Sequence, residues 1–228
     1  MQIDLPFSIQ QAVAGIWKIE ESEDWFLSQL QIWPEEALAL EKILSPQKRL
    51  QWLASRLVVR RLLNPEGKVI SQHYEDGRPK LIGIEQQVSF THTGDWAMAM
   101  ICPSGQIPGV DIELSDRIIP EIVQNRFLNP PEWKQIIAAG RQENALKILA
   151  WSAKETLFKC IGRKGISFQQ DLCLHLPQEI IPGTTGIIPA KINYNGNEKA
   201  VTVSYFFFRN LVCTWLVVPD DTFSVRSK

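Results

Sequence analysis

Two separate segments of the chain carry carboxylates and a lysine in an arrangement suited to divalent-cation and phosphate chemistry. The first segment is Gly109-Val110-Asp111-Ile112-Glu113. Alternate residues of a β-strand face the same side, so we expect Asp111 and Glu113 to project together. Two carboxylates at this spacing can bind one hard divalent cation such as Mg²⁺. Taken alone, the same pentapeptide is also typical of a half-solvated strand with its polar residues outward.

The second segment is a predicted helix around Trp151-Ser152-Ala153-Lys154-Glu155-Thr156-Leu157-Phe158-Lys159. At 100° per residue its apolar side chains form one stripe, which consists of Leu146, Leu149, Ala150, Ala153, Leu157, Cys160 and Ile161. Glu155 and Lys159 lie one turn apart on the opposite face. Trp151 and Phe158 lie near that face, which favours a partly covered cleft. The alternative is an exposed salt bridge between Glu155 and Lys159.

Further upstream, a polar stretch between two apolar strands could contact a phosphate. It is the predicted loop Thr91-His92-Thr93-Gly94-Asp95, which offers a hydroxyl, an imidazole and backbone N–H groups. An ordinary turn with a surface histidine is the alternative.

Several arginines precede this loop. Arg49 and Arg56 share one face of a helix predicted over residues 46–63, which Ser45 caps and Pro46 begins. The turn Gly77-Arg78-Pro79 adds another cation. A solvated basic face is the alternative for the helix. Together with the carboxylates, His and Lys, these arginines make the set of groups that a magnesium-bound pyrophosphate needs.

The elements that must position these groups are both helical and extended. The helices are predicted over residues 22–31, 35–44, 46–63, 118–127, 131–139 and 143–161. The strands are predicted over residues 12–19, 67–74, 79–84, 88–90, 96–102, 109–113, 200–208 and 211–218. Because the helices and strands do not alternate strictly, an α+β fold is favoured over a doubly wound sheet. The loosely similar order of the two halves predicts subdomains over residues 1–105 and 106–228.

Composition excludes several classes of protein. The chain has 24 Lys and Arg against 25 Asp and Glu, which is no basic excess for general binding to nucleic acid or anionic membranes. We therefore expect neither partner. The N-terminus shows no signal peptide, and no apolar run is long enough to span a membrane. The 4 cysteines form no CxxC pair and predict free thiols in a reducing cytoplasm. They share no ligand spacing with the histidines, so structural zinc is not expected.

In their order and spacing, these segments resemble the 4'-phosphopantetheinyl transferase superfamily, in its larger single-chain type typified by the surfactin-synthetase activator. The family pattern is G-[IV]-D-x-E followed, after about forty residues, by W-x-x-K-E-x-x-x-K, and here Glu155 lies 42 residues after Glu113. Thr91-His92 resembles the family's Ser-His loop, and Gly77-Arg78-Pro79 resembles its Gly-Lys-Pro turn. Arg49 or Arg56 resembles the arginine of its N-terminal helix. The similarity covers about residues 45–168.

The resemblance implies two similar subdomains related by pseudo-twofold symmetry, each with helices packed on an antiparallel sheet. It places the active site in the cleft between them. It also implies the reaction of a holo-[acyl-carrier-protein] synthase type transferase. Such an enzyme moves 4'-phosphopantetheine from coenzyme A to a serine of an apo acyl or peptidyl carrier protein and releases adenosine 3',5'-bisphosphate. The pathway served would be fatty-acid, polyketide or nonribosomal peptide synthesis.

The resemblance also implies roles for individual residues. Asp111, Glu113 and Glu155 would bind Mg²⁺, or Mn²⁺ in its place. Lys159 would bind the pyrophosphate and stabilise charge on the leaving phosphate, and Glu155 would be the general base, directly or through a water, with Asp111 as the alternative. Coenzyme A would be bound by Arg49, Arg56, Arg78, Thr91 and His92. Arg163 and Lys164 would contact the acidic carrier protein.

Two other functions remain open from the sequence. One is a non-catalytic module that binds coenzyme A or a carrier protein, although the presence of Asp111, Glu113, Glu155 and Lys159 argues against it. The other is a different Mg²⁺-dependent enzyme that cleaves a phosphodiester. A monomer is expected, because one chain already supplies both halves of the implied cleft.

Overall fold

The computed structural model describes residues 2–3, 12–74, 77–162, 165–194 and 196–223. In this part of the chain the helices are α1 (Glu23–Gln29), α2 (Pro34–Glu41), α3 (Pro46–Leu63), α4 (Glu121–Phe127), α5 (Pro130–Ala138) and α6 (Glu143–Ile161). The strands are β1 (Gln2–Ile3), β2 (Val13–Lys18), β3 (Ile70–His73), β4 (Pro79–Ile82), β5 (Gln87–Thr93), β6 (Trp96–Cys102), β7 (Gln106–Leu114), β8 (Leu172–Leu174), β9 (Thr185–Tyr194), β10 (Asn197–Phe208) and β11 (Leu211–Pro219). Short 3₁₀ turns are formed by Gly140–Gln142 and Asp220–Phe223.

The strands form two sheets, and the helices pack against them. One sheet has the order β1-β2-β6-β5-β4-β3 and the other has the order β7-β11-β10-β9-β8. The strand pairs whose register is resolved are all antiparallel. The predicted α+β class is therefore confirmed. The chain divides into two compact units, one of residues 1–110 and 217–220 and the other of residues 111–216 and 221–228. The first unit thus ends at Val110, inside β7.

In the first unit, α3 packs on the six-stranded sheet. Ser45 caps this helix by accepting a hydrogen bond from the backbone N–H of Lys48, and Pro46 occupies the first turn, as predicted. The helix buries an apolar face against the sheet, and this face includes Leu53, Ala54, Leu57 and Val58. Its length and boundaries match the sequence prediction.

In the second unit, α6 packs on the five-stranded sheet. The predicted apolar stripe of this helix is buried along its whole length. Two hydroxyl groups of the helix, those of Ser152 and Thr156, lie 2.9 and 2.7 Å from the hydroxyl of Thr214 on β11. Gly162 ends the helix in the left-handed region with φ of 65°, which a glycine adopts without steric cost. The helix is therefore held on the sheet by its apolar face and by these hydroxyl contacts.

The structure differs from the prediction in two places. Thr91, His92 and Thr93 belong to β5 and not to a loop, because only Gly94 and Asp95 turn the chain into β6. Strands β8 and β9 were not located individually from the sequence. The loop residues Arg163 and Lys164, predicted to contact a carrier protein, lie outside the described residues. No helix in the described part of the chain has the length and apolarity that crossing a membrane requires.

Candidate active site

Strand β7 carries the first two acidic residues of the predicted site. Asp111 and Glu113 are two positions apart on this strand and are only 5% and 7% exposed. Val110 and Ile112, which alternate with them, are buried in the apolar core. The four residues are therefore all buried, and the carboxylates are much less exposed than those of a half-solvated strand.

Helix α6 brings Glu155 and Lys159 to the same place. The ammonium Nζ of Lys159 donates to Oδ1 of Asp111 over 2.8 Å, so the lysine pairs with a carboxylate 48 positions earlier in the chain. Burial and the negative charge of Asp111 raise the pKa of Glu155 to about 7. Burial and Asp111 also raise the pKa of Glu113. The three carboxylates and the lysine thus form one charged cluster.

Two donors from other segments contact Glu113. A guanidinium N–H of Arg117 donates to Oε1 over 2.6 Å, and the indole N–H of Trp151 donates to the same oxygen over 2.8 Å. Arg117 follows β7 by three residues, whereas Trp151 lies on α6 one turn before Glu155. The indole contact therefore connects the carboxylate on the strand to the helix that carries Glu155.

Aromatic side chains hold Trp151 in this position. The rings of Phe127 and Phe168 lie 5.2 and 5.9 Å from the indole, and Phe158 lies 5.4 Å from Phe168. Such edge and tilted contacts are the favoured geometries of aromatic pairs. The aromatic residues that the sequence places near the polar face of α6 therefore pack together beside the carboxylates.

Lys154 forms a fully buried ion pair behind the site. Its ammonium donates to a carboxylate oxygen of Glu132 over 2.7 Å and to the carbonyl oxygens of Phe127 and Phe168 over 2.6 and 2.8 Å. Glu132 accepts two further hydrogen bonds, from the backbone N–H groups of Asn129 and Leu174. Because the ammonium and the carboxylate are both 0% exposed and well bonded, Lys154 is a structural part of the motif.

The donor set of the cluster fits a divalent cation. Within the described ranges, no group of three or more His, Cys, Asp or Glu side chains is placed so that it could hold a metal ion as it stands. The charge of Asp111 nonetheless helps to raise the pKa of both Glu113 and Glu155, so the three carboxylates lie close together, and oxygen ligands of this kind suit Mg²⁺ or Mn²⁺. Two cations, Lys159 and Arg117, already offset part of this charge.

Arg49 and Arg56, predicted to bind coenzyme A, have protein partners in the first unit. The guanidinium of Arg49 donates to the carboxylate of Glu23 and, over 2.7 Å, to the carbonyl oxygen of Leu40. Arg56 is 7% exposed and its guanidinium carbon lies 4.2 and 4.4 Å from the ring centres of Trp52 and Phe90. Burial lowers the pKa of Arg56 to about 9.

The other predicted coenzyme A residues lie at the edge and in the middle of the first sheet. Arg78 is half-buried before β4, with its guanidinium 5.8 Å from the ring of Tyr74. On β5, Thr91 is buried and His92 is exposed, as alternation along a strand requires. The roles of Arg49, Arg56, Arg78, Thr91 and His92 remain predictions.

Three features of the second unit were not found from the sequence. The sequence could have predicted that Lys154 is buried, because this residue lies one turn after Ala150 and next to Ala153, on the apolar stripe of the helix. The partner of Lys154, Glu132, shows the spacing of a capping box with Asn129, which the structure confirms. The sequence could not predict the contact of Arg117 with Glu113, because this contact depends on how the chain turns after β7.

Comparison with models of known protein families gives a match for the second half of the chain. Residues 108–203 match the family model of the 4'-phosphopantetheinyl transferase superfamily. These residues carry both halves of the motif and the whole charged cluster, so this part of the chain is similar to the superfamily that the resemblance named. No curated protein matches the chain at a significant level.

The match over these residues bears on the general activity. It supports a transferase that moves phosphopantetheine. Members of the superfamily use coenzyme A as substrate, act on carrier proteins and commonly use a divalent metal.

Proposed function

We propose that this chain transfers 4'-phosphopantetheine from coenzyme A to a serine of an apo acyl or peptidyl carrier protein, with Mg²⁺ as the metal. The serine oxygen forms a bond to the β-phosphorus of the pyrophosphate, and the bond from that phosphorus to the bridging oxygen breaks. Adenosine 3',5'-bisphosphate leaves with the bridging oxygen. The serine proton passes to a carboxylate of the enzyme, so atoms and charge balance without a further reactant.

The observation that supports this function is the position of Lys159. It lies one turn after Glu155 on α6 and donates to Asp111 on β7, so the two halves of the motif meet in one cluster. A pyrophosphate brought to this cluster would meet its cations directly and its carboxylates through the divalent ion that they would hold. The cluster thus offers the charges that phosphoryl transfer requires.

Asp111, Glu113 and Glu155 would hold the divalent ion. Neutralisation of the pyrophosphate charge and polarisation of the β-phosphorus are what Mg²⁺ supplies when it is bound. Trp151 orients one of these carboxylates, because its indole N–H donates to Glu113. Residues that fix a metal ligand in this way usually affect metal affinity strongly.

Glu155 is the proposed general base for the serine hydroxyl. Without a metal ion, burial and Asp111 raise its pKa to about 7, and a divalent ion beside it would lower that pKa and favour the carboxylate form that accepts a proton. Asp111 is the alternative base. Lys159 would stabilise the negative charge that grows on the leaving phosphate as the bond to phosphorus breaks.

Residues of the first unit would bind the nucleotide part of coenzyme A. Thr91, His92 and Arg78 would bind phosphates through a hydroxyl, an imidazole and a guanidinium. Arg49 and Arg56 would have to exchange their present partners, Glu23 for Arg49 and the hydroxyls of Ser55 and Ser71 for Arg56. We propose these contacts on the resemblance alone.

The finer identity is also a proposal. We propose the larger single-chain, surfactin-synthetase-activator type of the superfamily, acting as a monomer on a carrier protein of fatty-acid, polyketide or nonribosomal peptide synthesis. A cytoplasmic location is proposed because all 4 cysteines are free thiols and 3 of them are buried.

The direct test is transfer from fluorescent coenzyme A to a panel of apo carrier proteins, followed by gel fluorescence and intact mass. We expect label on at least one carrier protein in Mg²⁺, loss of labelling with EDTA, and recovery with Mg²⁺ or Mn²⁺. Each carrier protein with its serine changed to alanine is the matched control.

Two results would contradict the proposal. Coenzyme A binding by calorimetry without label on any carrier protein would indicate a non-catalytic module. Release of adenosine bisphosphate at the same rate with and without a carrier protein would indicate a hydrolase.

A further inference from the structure

A solvent-accessible arginine contacts a nearly buried acid of the proposed site. The side chain of Arg117 is 42% exposed, whereas that of Glu113 is 9% exposed, and their ion pair measures 2.6 Å. Glu113 also accepts the indole N–H of Trp151, so its position does not depend on the arginine alone. The guanidinium is therefore the part of this contact that a ligand arriving from solvent would meet.

The backbone of Arg117 is anchored independently of its side chain. Its N–H donates to the carbonyl oxygen of Leu114 over 3.2 Å, and its carbonyl oxygen accepts from the side-chain amide of Asn144 over 3.3 Å. Two positions earlier, the N–H of Ser115 donates to the carbonyl oxygen of Asn210 over 2.8 Å. The long side chain can therefore change partner by rotation about its own bonds while the turn stays in place.

The charges around Arg117 favour such an exchange. Lys159 pairs with Asp111 and Arg117 pairs with Glu113, so two cations balance two of the three carboxylates. A divalent ion bound by these carboxylates would place a like charge beside both cations. Each cation then needs a new anion, and a pyrophosphate supplies several oxygens for it.

We propose that Arg117 is a further substrate-binding residue of this site, whose guanidinium pairs with Glu113 in the structure and would pair with the pyrophosphate of coenzyme A if Glu113 held a metal ion. The inference rests on the proposed function. A guanidinium suits this role, because its planar donors match two phosphate oxygens at once. The ring of Trp151, 5.9 Å from the guanidinium carbon, gives the side chain a surface to lie against in either position.

The test measures metal and coenzyme A binding separately, without turnover. Binding of Mn²⁺ alone is followed by the electron paramagnetic resonance signal of the free ion, and coenzyme A binding in Mg²⁺ is followed by calorimetry. For Arg117→Ala we expect Mn²⁺ to bind several-fold more tightly, because Glu113 loses a competing cation. We expect coenzyme A to bind about ten-fold more weakly, because a charge-assisted hydrogen bond is lost.

The controls separate this role from a structural one. Arg117→Lys should recover part of the coenzyme A affinity, and Arg141→Ala, a change of an exposed arginine in the same unit, should alter neither affinity. In the transfer assay, Arg117→Ala should raise KM for coenzyme A by about ten-fold with kcat little changed.

Opposite shifts of the two affinities support the inference, because a merely structural loss would weaken both ligands together. Weakening of both, or wild-type affinity for both, would overturn it. If the wild-type chain transfers phosphopantetheine normally while Arg117→Ala binds both ligands as the wild type does, the inference fails and the proposed function stands. If the wild-type chain binds neither Mn²⁺ nor coenzyme A, both fail.

Discussion

Lys159 on α6 donates a hydrogen bond of 2.8 Å to Asp111 on β7. The two residues belong to two different halves of the sequence motif, and their contact brings a helix and a strand together around one set of charges. Glu155 lies one turn before Lys159 on α6, so its carboxylate and the lysine ammonium lie on the same face of the helix. The contact is the basis of the following predictions.

Removal of the Lys159 ammonium should slow the reaction more than it weakens substrate binding. For Lys159→Ala we expect kcat to fall by about 10²–10³-fold, because the lost group stabilises charge that develops only in the transition state. Coenzyme A affinity, measured by calorimetry, should fall much less. A large loss of affinity with an unchanged kcat would make Lys159 a binding residue only.

The metal-free protein should become less stable as pH rises, because of Glu155. The folded-state pKa is about 7 and the ordinary value is 4.5, so folding disfavours the charged form. The loss of folding stability that ionisation of Glu155 causes is absent below pH 4.5. It grows between pH 4.5 and pH 7 and is complete above pH 7. Glu155→Gln should therefore raise the melting temperature in EDTA at pH 8 and change it little at pH 4.5.

The matched control for this prediction is Glu179→Gln, at an exposed position of the same unit. Its melting temperature should follow that of the wild type at both pH values. Equal effects of Glu155→Gln at pH 4.5 and pH 8 would show that the carboxyl group is not destabilised by ionisation in the folded chain.

The buried lysine of the motif should matter for stability. Lys154→Met leaves the carboxylate of Glu132 buried without its cation, and breaking such a pair costs about 3–5 kcal/mol in the free energy of unfolding. The double change Lys154→Met with Glu132→Gln should recover part of the loss, because the amide carries no charge and its oxygen can still accept a hydrogen bond. Urea unfolding measures both. A loss below 1 kcal/mol for the single change would contradict the structural role.

Much of the fold could be predicted because it depends on local patterns. Ser45 and Pro46 mark the start of α3, and the apolar stripe of α6 repeats at helical spacing, so both helices were located correctly. Strand β5 was predicted too short, because Thr91, His92 and Thr93 resemble a polar loop. Their strand conformation is stabilised by pairing with β6, which is a non-local interaction.

The candidate site was only partly predictable for a related reason. The motif spacing selected Asp111, Glu113, Glu155 and Lys159 and placed the acids on one strand and one helix. The contacts of Glu113 with Arg117 and Trp151 depend on the turn after β7 and on the packing of α6. The protein partners of Arg49 and Arg56 likewise come from other elements, such as Glu23 on α1. The spacing of residues along the chain does not predict contacts between side chains of different elements.

The central claim is that the acids on β7 and α6 act together in phosphopantetheine transfer, and one mass measurement tests it directly. Wild-type chain, Asp111→Asn, Glu155→Gln and the exposed control Asp116→Asn are each incubated with coenzyme A, Mg²⁺ and an apo carrier protein that the wild type modifies. The account predicts that wild type and Asp116→Asn add one 4'-phosphopantetheine per carrier protein, while Asp111→Asn and Glu155→Gln, folded by circular dichroism, add none. Near-normal modification by both acidic-site variants would contradict it.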